Sequence, residues 1–296
     1  MATIRQTAKR WVPAALHRPL RRLEAYGRRL RIWQTAIRET RGATPADQAI
    51  IRRSFLVSPI VSARDLDRWQ DPMLLADADV EVTGFGRFHV RGNSDDFWHV
   101  LPSREPAIVE TVRQLVGPGD TFVDAGANIG FYSVQAARRA GEHGHVIAVE
   151  MMPDTADILR AQVQRNRLAN VRVVEAALSD TEGDEVLAHV SSGRYGQASL
   201  VAHAADARSV RVTTTTLAQL LADVPRVALM KMDLEGAELS ALVGGRPALP
   251  RIEAIIFEAH TRAGEVAMFL AEAGFAVREL DRRNALATRR SDTRAV

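Results

Sequence analysis

Apolar positions along this chain fall into three regimes, and each predicts a different kind of element. From residue 1 to about 42, Leu16, Leu23, Leu30 and Ile37 recur every seven residues, with Leu20 and Trp33 beside them and arginines between. That recurrence places them along one face of a helix, which Gly42 and Pro45 end. From about 43 to 118 helical segments mix with short strands. Val80 to Val90 alternates around a Gly-Phe-Gly turn and predicts a hairpin. Pro106 to Val116 predicts a helix, stopped by Gly117-Pro-Gly119.

From 119 to 296 short apolar runs alternate with segments of helical period. Strands are predicted at 121–125, 145–149, 171–176, 227–232, 252–257 and 275–280, with a helix after the first through Arg139. Pro153 opens another helix, where its missing N–H costs nothing, and Ala156, Leu159 and Val163 give it an apolar stripe. Residues 184–215 read as a strand, a loop and a returning strand. The expected fold is α/β, a doubly wound, mainly parallel sheet preceded by a helical arm (1–42) and a small α/β extension (43–118). Such sheets bind ligands beyond the carboxyl ends of their strands, so strand-ending residues are the candidates.

Composition narrows the classes. With 46% hydrophobic and 25% charged residues, the 296-residue chain matches a globular protein. No run approaches the ~20 apolar residues of a membrane span, and the start lacks the apolar core of a secretory signal. A cytoplasmic protein is expected, peripheral at the inner membrane surface if its arm binds lipid. The absence of cysteine excludes disulfides, thiolate metal sites and thiol nucleophiles. Net charge is +3, but residues 1–42 carry eleven Lys or Arg against two Glu, which leaves −6 for the remainder. The basic character belongs to the arm, so no nucleic-acid partner is expected of the body. For the arm itself, packing on the body or self-association comes first. An anionic membrane surface comes second, and a mitochondrial transit peptide shares the composition.

Candidate chemistry begins after the first predicted strand, with Asp124-Ala-Gly-Ala-Asn-Ile-Gly130. Gly126 permits a sharp turn and close ligand approach. Asn128 suits the cap of the following helix, whose first amides would face a ligand. Counted from Gly126, the three glycine positions of a dinucleotide fingerprint hold Gly126, Asn128 and Phe131, which disfavours a nicotinamide cofactor. Glu150 ends the second strand, where a carboxylate accepts ribose hydroxyl hydrogens. Turn and acid together predict a nucleoside-containing cofactor.

Four blocks carry a resemblance: Gly119-Asp-Thr-Phe-Val-Asp-Ala-Gly-Ala-Asn-Ile-Gly-Phe-Tyr-Ser133, Val146-Ile-Ala-Val-Glu150, Glu175-Ala-Ala-Leu-Ser-Asp180 and Lys231-Met-Asp-Leu-Glu-Gly-Ala-Glu238. In this order, over about residues 117 to 260, the chain resembles the FkbM family of S-adenosylmethionine-dependent methyltransferases. It departs at Glu150-Met-Met-Pro, where the family usually has an acid followed directly by proline. The resemblance implies a Rossmann-like class I methyltransferase sheet and S-adenosyl-L-methionine as cofactor. Asp124, Gly126, Asn128 and Gly130 would line its methionine end, Glu150 would hold its ribose, and Ser179 and Asp180 would fall near its adenine. The implied acceptor is a small molecule or glycan, a hydroxyl of a sugar, glycolipid or polyketide-type natural product. The alternatives are a nucleic-acid methyltransferase, whose Asn/Asp-Pro-Pro-aromatic signature is absent, or a non-catalytic scaffold that docks through residues 1–42.

A hydroxyl acceptor must lose its proton, which calls for a base or a metal-bound hydroxide. Asp233 at the end of the fourth strand is the leading candidate, with Glu235 assisting and Glu238 structural. His260 and Glu258 follow the fifth strand, and His260 is a reasonable second base. A divalent metal on Asp233 and Glu235 is conceivable, but no ligand spacing supports it, so no metal site is assigned. The loop Ser191 to Ser199 is either a flap over the acceptor, with Arg194, Tyr195 and Gln197 in contact, or a plain surface excursion.

Overall fold

The computed structural model of the chain describes residues 14–64, 71–191, 193–200, 208–258 and 263–290. Seven strands build the central sheet: β1 Thr121–Ala125, β2 His145–Glu150, β3 Val171–Glu175, β4 Leu229–Met232, β5 Ala254–Glu258, β6 Phe275–Glu279 and β7 Asn284–Arg289. Their order is β3-β2-β1-β4-β5-β7-β6, all parallel except β7, which runs antiparallel between β5 and β6. Six of these strands are the six predicted; β7 is additional. The Asp281 carboxylate makes its turn by accepting the Arg283 and Asn284 N–H groups, at 2.8 and 2.9 Å.

The order in which strands are added reverses between the parallel neighbours β1 and β4, and the crevice opens at their carboxyl ends. In register, Asp124 lies opposite Lys231 and Ala125 opposite both Met232 and Val149. The inner strands are buried on both faces, as parallel strands covered by helices must be. Val123, Ile147, Met230 and Ile255 enter one core, while Phe122, Val146, Leu229 and Ile256 enter another. The second core also contains Trp33, Phe88, Phe97 and Val112, so the segments before residue 118 share a core with the sheet.

The expected hairpin is present: Ala78–Val82 pairs antiparallel with Gly86–Val90, and with Thr40–Gly42 on its other side. Two side-chain amides of the helix Pro153–Arg165 and its end continue this ladder. Gln162 bonds to His89 N and O, at 2.9 and 2.7 Å, and Asn166 to Arg87 N and O, at 3.0 and 2.7 Å. The predicted pair at 184–215 is also seen, as Glu185–Val190 antiparallel to Arg208–Thr215.

The first helix, α1 (Ala14–Glu39), forms where predicted but buries a different face. Ala25, Arg29, Trp33 and Ala36 face inward, while Leu23 is 66% exposed and Ile37 is exposed too. Small alanines let the helix approach closely enough for Trp33 to insert between Phe55 and Phe97. Of the heptad positions, Leu23 and Ile37 are left outside that seam and Leu30 is half-buried. The second helix, α2 (Pro45–Arg64), packs beside it. No helix among the described residues is long and apolar enough to cross a membrane.

Candidate active site

The loops after β1 and β4 interlock. Asp233 N–H donates to Ala125 O, while the Gly126 and Ala127 N–H groups donate to Val149 O. Gly126 has φ +80°, and a Cβ there would lie 2.0 Å from the Asp233 carbonyl oxygen. The sharp turn expected of this glycine is present, and the neighbouring loop leaves no room for a Cβ.

Asn128 differs from expectation. The helix Phe131–Ala140 is capped by Gly130 at φ 87°, with no side-chain bond. Asn128 sits at φ 49° with its N–H donating to Glu150, at 2.9 Å. Its Oδ1 and Nδ2 are buried, have no hydrogen-bond partner, and belong to a residue lining the cleft. A buried unpaired amide costs about 1–3 kcal/mol, so its place at a cleft wall points to a partner that is not protein.

Glu150 is buried and accepts from Asn128 N–H and Met152 N–H, both at 2.9 Å. Burial pushes its carboxyl up to about 7 against the pull of those two bonds. Each oxygen keeps a lone pair for a further donor. Asp124 is fully buried below the cleft, where Ser133 Oγ donates to one oxygen at 2.6 Å and the other has no partner. Burial raises it too, opposed by the Lys231 ammonium.

The cleft is open to solvent, and the space between its walls and mouth is about 800 Å³. Gly126, Asn128, Glu150, Asp233 and Glu235 line it; Asp124, Gly130, Ser179 and Asp180 do not. The wall after β3 is instead Ala176, Ala177 and Leu178. Asp180 and Ser179 turn toward the helix Glu238–Gly244, where Ser240 Oγ donates to Asp180 at 2.8 Å. Glu238 also faces away, accepting Leu234 N–H at 2.9 Å and so shaping the loop after β4.

Opposite Glu150 lies a charge cluster. Asp233, Glu235 and Glu258 each place a carboxylate oxygen within 4.8 Å of the others. Lys231 Nζ is 3.1 Å from Asp233 Oδ2. Burial would raise Asp233, but the Lys231 and Arg104 cations outweigh it and hold that carboxyl well below its usual range. Burial and then the Asp233 charge push Glu258 well above its usual range, and the two are hydrogen-bonded. Burial, Asp233 and Glu238 bring Glu235 to about 7. Glu235 also holds φ 50°, a strained backbone for a non-glycine residue. Lys231 already pairs with Asp233 in this cluster. His260 lies outside the described residues.

Residues before 118 complete the cleft, and sequence reasoning missed them. Arg104 lines it, with its NH1 2.7 Å from Glu105 Oε2, which also accepts the Tyr132 hydroxyl at 2.7 Å. Arg104 Nε is buried without a partner. His99 lines the same wall, its Nε2 3.4 Å from the fully buried Asp95. Asp95 also accepts Tyr195 N–H and Gly196 N–H, at 3.0 and 3.1 Å, and its own N–H donates to Gly193 O. Arg91 stacks 3.7 Å over the Tyr195 ring. The loop considered as a flap is therefore held against the extension; Tyr195 and Gly196 reach the cleft, while Arg194 and Gln197 are exposed and do not line it.

The profile of the Methyltransferase FkbM domain matches residues 124–277, just over half of the chain. The chain belongs to this family. It is an S-adenosylmethionine-dependent methyltransferase with a mainly parallel, Rossmann-like sheet. This FkbM-family protein is 27% identical over 184 residues to a hexuronic acid methyltransferase of Haloferax volcanii, a match spanning 61% of this chain and 73% of that protein. Among solved structures, a methyltransferase FkbM from Methylobacillus flagellatus aligns at 17% identity and a TM-score of 0.40, covering 65% of this chain and 53% of that one. Fibrillarin of Aeropyrum pernix, in complex with S-adenosyl-L-methionine, aligns at 13% and 0.39, covering 75% and 94%.

Proposed function

We propose that this enzyme methylates a hydroxyl group of a sugar, glycolipid or polyketide-type natural product, with a uronic-acid sugar the first acceptor to test. Glu235 carries the reading. It is a cleft-lining carboxyl brought to about 7, the value at which a base is both available and strong enough to take an alcohol proton near neutral pH. Asp233, the leading candidate from sequence, is held ionised by Lys231 and Arg104 and is the weaker base; its charge is one of the groups that raise Glu235. The similarity to the hexuronic acid methyltransferase of Haloferax volcanii supports a sugar acceptor.

The cleft fits the cofactor. The unpaired Asn128 amide offers one donor and one acceptor face to an amino acid's carboxylate and ammonium. Glu150 offers its remaining lone pairs to a ribose diol, and Ala176, Ala177 and Leu178 give a purine an apolar wall. When bound, S-adenosylmethionine supplies a methyl group already activated by its sulfonium. What remains for the protein is to align the acceptor oxygen, exclude water and receive the proton, and Glu235 receives it.

Turnover at saturating cofactor, followed by methyl transfer to glycosides of hexuronic acids and their neutral counterparts, tests this. The deprotonated base is the active form, so the rate should rise with pH through about 7 and level above it. Glu235→Gln should lose about 10²–10⁴ in rate together with that pH limb while still binding S-adenosylmethionine. A flat profile with an unimpaired variant would remove Glu235 from the chemistry.

A further inference from the structure

We propose that α1 and α2 form a face that docks the enzyme on an anionic lipid surface. The face comes from what α1 leaves outside its buried seam. Leu20, Leu23, Tyr26 and Ile37 are exposed there, and on α2 so are Leu56, at 65%, Val57 and Ile60. Arginines accompany them on both helices: Arg21, Arg22, Arg28, Arg31 and Arg38 on α1 and Arg52 and Arg53 on α2 are exposed. Glu24 is the exposed acid of α1. Apolar side chains and guanidinium groups thus share one pair of packed helices, and the surface extends past residue 42, where the sequence pattern ended the arm.

Charge selects the occupant. Residues 1–42 carry +9 and the rest of the chain −6, so a second copy seated on this face would bring two strongly cationic segments together at close range. A nucleic acid offers phosphates but no apolar phase to take up Leu23 and Leu56. An anionic bilayer offers both: headgroup phosphates for the arginines and acyl chains for the leucines. Long arginine stems suit this arrangement, because they lie along apolar surface while the guanidinium stays at the phosphates.

The test uses the full chain and vesicles of phosphatidylglycerol mixed with phosphatidylcholine, with pure phosphatidylcholine as the neutral comparison. The protein should sediment with the anionic vesicles at low salt and be released as the ionic strength rises past about 0.5 M, where screening shortens to a few ångströms. It should stay in solution with neutral vesicles. Leu23→Asp with Leu56→Asp, and separately Arg31→Glu with Arg38→Glu, should each weaken vesicle binding about tenfold or more. All four side chains are exposed, and unchanged S-adenosylmethionine affinity verifies that each variant is folded. The proposal is overturned if the parent chain ignores anionic vesicles or if both folded variants bind them as before. It is equally overturned if the leucine pair instead breaks a dimer seen without lipid.

Discussion

Residues 124 to 277 bring Gly126, Asn128, Glu150, Lys231, Asp233 and Glu235 to the cleft, whereas residues 91 to 105 bring His99 and Arg104 to the same wall. The first set follows from backbone geometry that repeats wherever such a sheet is built: a strand ends, the chain turns, and the turn residue faces the crevice. The second set follows from packing. Asp95 is buried, Phe97 and Trp33 stack behind it, and His99 reaches the cleft because the short helix Asp96–His99 is held there by residues a hundred positions away. The family domain is therefore not the whole of its own cleft. One wall is supplied by a segment whose local pattern carries no chemistry.

The largest effect that would test this division is at Arg104. If the extension is part of the site's electrostatics, Arg104→Met leaves Glu105 buried without its cation and should cost about 3–5 kcal/mol of stability by denaturant unfolding. A cost below about 1 kcal/mol would mean that the extension only leans on the sheet. On the motif side, Glu150→Ala should weaken S-adenosylmethionine binding at least tenfold, from loss of about 1.5–3 kcal/mol per charged hydrogen bond. The parent affinity should also fall as pH drops through about 7, because protonation removes an acceptor. Calorimetry across that range reads both, and an unchanged affinity in the variant would take the ribose away from Glu150.

Asn128→Ala separates ligand contact from structure. Its amide is unpaired without a ligand, so removing it should leave the melting temperature of the free protein within about a degree or raise it, while cofactor affinity falls several-fold. A lower melting temperature with normal affinity would make the residue structural. The smallest expected effect is none at all. Turnover should be indifferent to EDTA, because Lys231 already pairs with Asp233 in the carboxylate cluster. Activity that collapses and returns with Mg²⁺ would show that the cluster loads a metal.

Strand ends were legible in the sequence because each pairs a short apolar run with a turn, and Gly126, Glu150 and Asp233 were found that way. What the side chains do there was less legible. Asn128 looks like a cap by type, but Gly130 takes that place and the amide is left to face the cleft. Ser179 and Asp180 follow β3 as expected, yet the helix Glu238–Gly244 draws them away through Ser240. Glu258 joins Asp233 and Glu235 only through the pairing of β4 with β5, a relation that ligand spacing along the chain cannot express. In α1 the heptad period includes Leu23 and Ile37, which are exposed, since burial there rests partly on alanines that a hydrophobic pattern underweights.

Asp95 has a consequence in time as well as in space. Its carboxylate accepts N–H groups from Tyr195 and Gly196, 100 and 101 residues further along the chain. During synthesis the early segments emerge first, and Asp95 then has no backbone donors to replace its water. Closing a loop of that length is slow, and it becomes worthwhile only when the central strands between the two ends have already paired. The mouth of the cleft thus depends on a contact of long sequence separation, whereas the Gly126 turn closes on Val149, much nearer along the chain.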